Sequence, residues 1–472
     1  MNIISNNYEK ILKDMIFSKF YEELKKELDK NIVRNNIFNY IDLLSKLDNT
    51  LCEIAKTSLI SIIEAIDKSY SNSIERKAKY YIKAHRERTI LTIFGEITYK
   101  RTFYSDKNNE GCFCYVDKYL GLKKYDYFDP YLKATILEYA ANNSAPTVCK
   151  MINDLIGKRI KLVESFKYIS RQTIRNIILE SKFSKVEEDE LEIPENESIY
   201  IMADEKFVAT QNNDNKDVMI KSIVVFDGIT GEKRKTLNNK KIFAGYQKGL
   251  VDNVLDYLYY VYDLDKLKNI FVMGDGAKWI RHLTGNFQIN KDTNVIFALD
   301  HYHFKQATHH IGLEKDYEDV LNDYIKNNDK ENFSSCCDEL CKSFPHRAKT
   351  ITTKKEYIIN NFKNIQNLLK YNLSCPMESQ ISHNLAYLFS SRPKGYSIKT
   401  LEKLIPLRML YKNNKNIKYL YLNNINVKEV KTIKKEHLNF NLKQFLPHIE
   451  YERIIPNYTY SQPYDSSYHC MA

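Results

Sequence analysis

The chain has 472 residues, with 71 Lys or Arg against 60 Asp or Glu, and a formal net charge of +11 at pH 7. That length allows several domains around sizeable cores, and the positive balance makes nucleic acid the first partner to consider. With no long apolar run and no apolar leader, the expectation is a cytoplasmic protein that touches no membrane; the nine cysteines match neither a disulfide framework nor a zinc finger.

Residues 1–88 read as helices, with Leu12, Ile16, Phe20, Leu24 and Leu28 recurring every fourth residue between lysines and glutamates. At Thr89 the period changes to two. TILTIF, Gly95 and EITYKRTFY have the pattern of a β-hairpin turning near Gly95, so 89–128 is expected to be a small β element. Its Lys100 and Arg101 would either touch phosphate or be solvated. Residues 129–185 read as three short helices: Asp129–Ala141, a second opened by Ser144 and Pro146, and Arg171–Ser181 capped by Ser170. This helix-turn-helix-like module suits DNA, because Arg171, Gln172, Arg175 and Asn176 are side chains that can read base edges. Three short helices also occur in proteins that never meet DNA. The acidic stretch Val186–Glu197 reads as a solvated linker.

Beyond the linker the pattern is α/β. Ser198–Met202 is a strand ending on Asp204, Val218–Phe226 a second, and a third lies near Lys241–Ala244. A helix Leu250–Tyr262 follows, then a strand Ile270–Met273 that ends on Gly274-Asp275-Gly276. A further run, Val295–Leu299, ends on Asp300 and His301-Tyr302-His303. Carboxylates at strand ends mark ligand sites in such sheets, although turns favour Asp and Gly for reasons of their own. Three strands, a helix and a fourth strand is the order of a ribonuclease-H-like sheet, in which the first and fourth strands are neighbours and Asp204 would face Asp275. Glu378 opens a helix with Leu385 and Leu388 on its apolar face, where a third acid belongs; Glu402 is the nearest competitor.

The expected architecture is multidomain, α+β and α/β: the helical N-terminal region, the small hairpin and the three-helix module, then a ribonuclease-H-like catalytic domain over 198–305 and 372–412. A helical insertion would fill 306–371, docked on the sheet, and 413–472 would form a C-terminal region. Arg392 and Lys394, beside Pro393 and Gly395, fit a path for the DNA backbone.

ADE at 203–205, GDGAKWI at 274–280, ALDHYHFK at 298–305 and ESQISHNLAYLFSSRPKGYS at 378–397 together resemble an insertion-sequence transposase of the ISLre-two family, related to Mutator-like DDE enzymes. RTFY at 101–104 and VDKYLGL at 116–122 resemble that family's N-terminal half. Tyr302, Tyr396 and Ser379 depart from its pattern, none of them at a proposed ligand. The resemblance implies an enzyme that cleaves element ends and joins their 3′-hydroxyls to double-stranded target DNA, working as at least a dimer. Asp204, Asp275 and Glu378 would hold two Mg²⁺ or Mn²⁺ ions, which prefer oxygen ligands. Asp300 and His303 would belong to the family's aspartate/histidine motif and orient DNA; the alternative is a helix N-cap beside an ordinary histidine. The competing function is a DNA-binding protein, or an inactive transposase relic, that keeps the fold and cuts nothing.

Overall fold

The computed structural model describes residues 21–22, 25–26, 37–107, 111–157, 169–211, 217–232, 235–246, 249–312, 314–390 and 395–430. The repeat from Leu12 to Leu28, the pair Arg392 and Lys394, and the chain after 430 lie outside the described residues. Residues up to Lys428 belong to one unit, and all that follows concerns it.

Helices α1 (Ile37–Asn72) and α2 (Ile74–Lys79) lead into a hairpin of β1 (Tyr80–Thr92) and β2 (Gly95–Asp106). The turn falls at Gly95, whose φ of +113° would strain any side chain. Tyr80–Arg88, expected to be helical, is strand throughout, with Tyr80 opposite Asp106 and Arg88 opposite Tyr99. Exposed residues such as Tyr81, Lys83, Arg86 and Glu87 carry no clear period by themselves, and the cross-strand pairing decides their state. β3 (Cys112–Cys114) and α3 (Tyr115–Tyr119) complete this element. Arg88 Nη1 lies 2.7 Å from Asp117 Oδ2 on α3, and Arg101 pairs with the same carboxylate. Arg101 is therefore a largely buried structural cation and not a phosphate contact, while Lys100 stays exposed.

The three expected helices are present as α4 (Pro130–Ala140), α5 (Ala145–Gly157) and α6 (Arg171–Glu180). Asp129 accepts from Leu132 N at 2.8 Å and Ser170 from Thr173 N at 3.1 Å, the side-chain caps that satisfy first-turn amides. The helices pack on one another through Leu132, Ile136, Ile152 and Ile174.

A five-stranded sheet follows: β4 (Ser198–Val208), β5 (Val218–Phe226), β6 (Lys241–Gly245), β7 (Asn269–Gly274) and β8 (Asn294–Leu299). Their spatial order is β6-β5-β4-β7-β8. The first three are antiparallel, whereas β7 runs parallel to β4 and β8 parallel to β7. Both faces are covered, which is why these strands read as unbroken apolar runs. On one face α7 (Leu250–Val261) and α8 (Lys278–Asn286) bring Val254, Leu258, Ile280 and Leu283 against Ile199, Ile201, Ile270 and Val272.

Among the described residues, eight helices longer than a single 3-10 turn follow β8. They are α9 (His301–Gly312), α10 (Lys315–Lys326), α11 (Lys330–Ser343), α12 (Ala348–Asn360), α13 (Phe362–Lys370), α14, α15 (Ile398–Lys412) and α16 (Ile417–Val430). Helix α14 is composite, with a π-helical Ser382–Ala386 between α-helical Met377–Ile381 and Tyr387–Phe389. Ile325, Ile358, Ile365, Met377 and Leu385 share a core with Met202, Met273 and Leu299 on the sheet's second face. Helix α13 lies along β8, where Asn367 Nδ2 donates to Phe297 O at 2.8 Å.

The acidic stretch before β4 is no solvated linker. Glu188 pairs with Lys241 and, at 2.8 Å, with Lys415, and Leu191 N donates to Val261 O at 2.7 Å. Glu188 and Glu197 thus meet lysines distant in the chain, while the other acidic side chains of the stretch stay exposed. The described cysteines form no disulfide, and no described helix is long and apolar enough to cross a membrane.

Candidate active site

The last pair between the parallel strands β4 and β7 is Met202 with Met273. Asp204 and Asp275 each follow two residues later, so both stand one pleat beyond the same rung. Strand β4 does not end at Met202 as expected, because β5 keeps pairing with it and Asp204 lies opposite Ser222. The close approach of the two tips depends on Gly274, where an added Cβ would lie 2.8 Å from Ala203 O and 2.9 Å from Ile280 Cδ1. Gly276 supplies the turn, with φ of +89°.

The acids feel each other. Burial pushes the Asp204 carboxyl up to about 6, and the charges of Asp275 and Glu205 push the same way against the Glu205 amide and His303. Asp300 is 2% exposed and does the work of a helix cap, its Oδ1 accepting from Tyr302 N at 2.9 Å. Its Oδ2 lies 3.2 Å from His303 Nδ1. That hydrogen bond raises the histidine's pKa against the effect of burial, with the charges of Asp300, Asp275 and Asp204 adding to it. Asp300 thus caps α9 and holds His303 near enough to Asp275 and Asp204 to feel their charges.

A carboxyl whose pKa is raised on folding contributes stability below its unfolded value near 4, and that contribution is lost as pH rises through about 6. Asp204→Asn should therefore stabilise the metal-free protein at pH 7.5, by on the order of 1 kcal/mol after solvent screening, and give no such gain at pH 4. Asn still offers Oδ1 to Glu205 N, the bond made by Asp204 at 2.7 Å. Denaturant melts in EDTA check this, and a variant no more stable than wild type at pH 7.5 would refute it.

Glu378 lies in the first turn of α14, exposed, on a helix that packs against β4 through the buried Met377 and Ile381. Glu402 belongs to α15, which packs on the edge strand β6, and its Oε1 accepts from Tyr246 at 3.1 Å. Among the described residues, no group of three or more His, Cys, Asp or Glu side chains is arranged to hold a metal ion. Asp204 and Asp275 form an all-oxygen pair with one desolvated member, a donor set that fits a hard divalent cation.

On α6, Arg171, Gln172 and Asn176 are exposed, and Gln172 Nε2 donates to Asn176 Oδ1 at 2.7 Å. Arg175 turns inward instead, giving Nε to Thr400 Oγ1 and Nη2 to Ser397 Oγ, both at 3.3 Å. It docks the module on α15. Sequence reading did not single out Arg281 of the adjacent α8, nor Tyr357 and Asn361 from far along the chain, which together hold the Asp275 turn. Trp279 was missed as well; its Nε1 donates to Glu205 Oε2 at 2.6 Å, beside Asp204.

An uncharacterised protein family (UPF0236) matches residues 33–422 of the chain. The chain belongs to this family. A UPF0236 protein of Caldanaerobacter subterraneus subsp. tengcongensis is 26% identical over 420 residues, spanning 85% of this chain and 86% of its own length. Two more UPF0236 proteins of that organism are 27% identical over 423 residues, spanning 85% of this chain and 85% and 80% of theirs. Their names join four and two gene designations respectively.

Proposed function

We propose that this UPF0236 chain is a DNA transposase of the ISLre-two type, ribonuclease-H-like in its sheet, that cuts element ends and joins their 3′-hydroxyls to target DNA. The observation that carries the reading is the strand order β6-β5-β4-β7-β8, with Asp204 and Asp275 beyond the same rung of its central parallel pair. Ribonuclease-H-like enzymes use this order to bring two acids together. Relatives whose names join several gene designations of one genome are what a self-copying element leaves behind.

In this mechanism Asp204 and Asp275 would hold the cation, and Glu378 on α14 would be the third acid. Two divalent ions, when bound, stabilise the attacking and leaving oxygens of an in-line displacement at phosphorus. His303, steadied by Asp300, meets the DNA beside the cut. Arg171, Gln172 and Asn176 contact base edges of the element's ends, and Arg392 and Lys394 the backbone. Each of two ends needs a set of acids, which calls for at least a dimer on DNA.

The second reading, a DNA-binding relic, draws on the exposure of Glu378 and on the lack of a ready three-acid group among the described residues. Purified protein and DNA carrying the gene's own flanks decide between them. Nicks at the element's ends in Mg²⁺, absent in EDTA, are the expected result. Sequence-selective binding with intact DNA would sink the enzyme and leave the relic.

A further inference from the structure

The turn that carries Asp275 presents three carbonyls in a row, and each is held by a different part of the chain. Gly274 O accepts from Asp300 N at 2.8 Å. Asp275 O accepts from the Tyr357 hydroxyl of α12 at 2.7 Å. Gly276 O accepts from Arg281 Nε at 2.8 Å, and Arg281 Nη2 in turn reaches Asn361 Oδ1, just after α12, at 3.1 Å. Asn361 is 1% exposed and its Nδ2 returns to Tyr357 O at 2.9 Å, so the Asn361 side chain is fixed from within the last turn of α12. Gly276 sits so close that a Cβ there would lie 3.0 Å from Asn361 Oδ1.

A tight turn beside a strand tip cannot satisfy these carbonyls by itself, and unpaired they would let the turn relax. We propose that the helical segment between β8 and α14 is the positioning apparatus of the site: Tyr357 and Asn361 fix the Asp275–Gly276 backbone, and so aim the Asp275 carboxylate at a cation. This rests on the metal-dependent reading given above. Tyr357 is a positioning residue, acting through a backbone carbonyl without touching the reacting atoms. The insertion is then part of the site and not merely a docked neighbour, and its displacement would disarm Asp275 at a distance.

The test is Mn²⁺ binding by the full-length, DNA-free protein, followed by titration calorimetry. Tyr357→Phe removes a single hydroxyl and should weaken binding about tenfold, the usual effect of losing an outer partner of a metal ligand. Tyr324→Phe, in the same apolar core on α10, should bind as wild type does. Raised Mn²⁺ should restore cleavage by Tyr357→Phe, with KM for DNA unchanged, whereas a merely structural loss would not respond to metal. If Tyr357→Phe lowers the melting midpoint, Arg281→Met frees the neighbouring Gly276 carbonyl and should weaken Mn²⁺ binding likewise. Wild-type affinity in these variants, with binding lost in Asp275→Asn, overturns the positioning role alone. Wild-type affinity in Asp275→Asn itself overturns the metal site on which the role rests.

Discussion

If the proposed transposase reading holds, Asp204→Asn, Asp275→Asn and Glu378→Gln should each lower cleavage of element ends by roughly a thousandfold or more, while binding to those ends should stay near wild type. The magnitude follows from the several kcal/mol that charge stabilisation by bound metal contributes to phosphoryl transfer, at about 1.4 kcal/mol for each tenfold in rate. Each substitution keeps the shape of its side chain and removes one negative charge. Asp204 and Asp275 lie beyond the same rung of two parallel strands, so under the proposed metal-dependent mechanism the loss of either would open the same cation site. Glu378 is the more exacting case, because it is exposed and approaches only through a helix packed on β4. Glu402→Gln is its control: that residue lies on a helix packed on the edge strand β6 and accepts from Tyr246 at 3.1 Å. Gel assays of cleavage and binding in parallel give the answer. Full cleavage by Glu378→Gln together with loss in Glu402→Gln would move the third acid to α15.

The second large effect is on stability. Arg408→Met should cost about 3–5 kcal/mol, because it removes the donor from several buried acceptors at about 1–3 kcal/mol each, and lower the urea midpoint by roughly 1 M or more. Arg408 is fully buried, and it bridges three elements. Its Nη2 donates to His383 O at 3.0 Å and its Nε to Asn384 O at 3.1 Å, both in the π-helical turn of α14. A π turn does not return these carbonyls to the ordinary helical ladder, and Arg408 takes them instead. Its Nη1 reaches Ala141 O at 3.3 Å, with Asn142 Oδ1 also bonded, which ties in the end of α4. The guanidinium lies 5.9 Å from the Tyr387 ring and 5.7 Å from that of Tyr411, so cation–π contact offsets part of its desolvation. Methionine keeps most of the volume but strands three carbonyls. An unchanged urea midpoint would refute this account of the π turn.

Much of the local structure could be read directly from the residues. Ser170 and Asp129 announce helix starts because a short side-chain oxygen at that position captures a free amide. Gly95 marks a turn because its backbone takes a positive φ. The runs 199–203 and 270–273 signal buried strands because both faces of the sheet are covered. These are short-range matters, settled within a few residues.

The roles of the charged side chains were settled elsewhere. Arg101, Arg175 and Arg408 are alike in sequence, three cations that could face phosphate, yet they end on Asp117, on Ser397 and Thr400, and in a buried π turn. The acidic stretch before β4 reads as solvated until Lys241 and Lys415 meet Glu188. Tyr80–Arg88 becomes strand only because β2 lies beside it. Tyr357 carries no motif, and its hydrogen bond to Asp275 spans 82 residues. A guanidinium, carboxylate or phenol has the same chemistry wherever it stands, and whether it binds DNA, holds a fold together or aims a catalytic acid depends on the partner that folding brings within 3 Å or so.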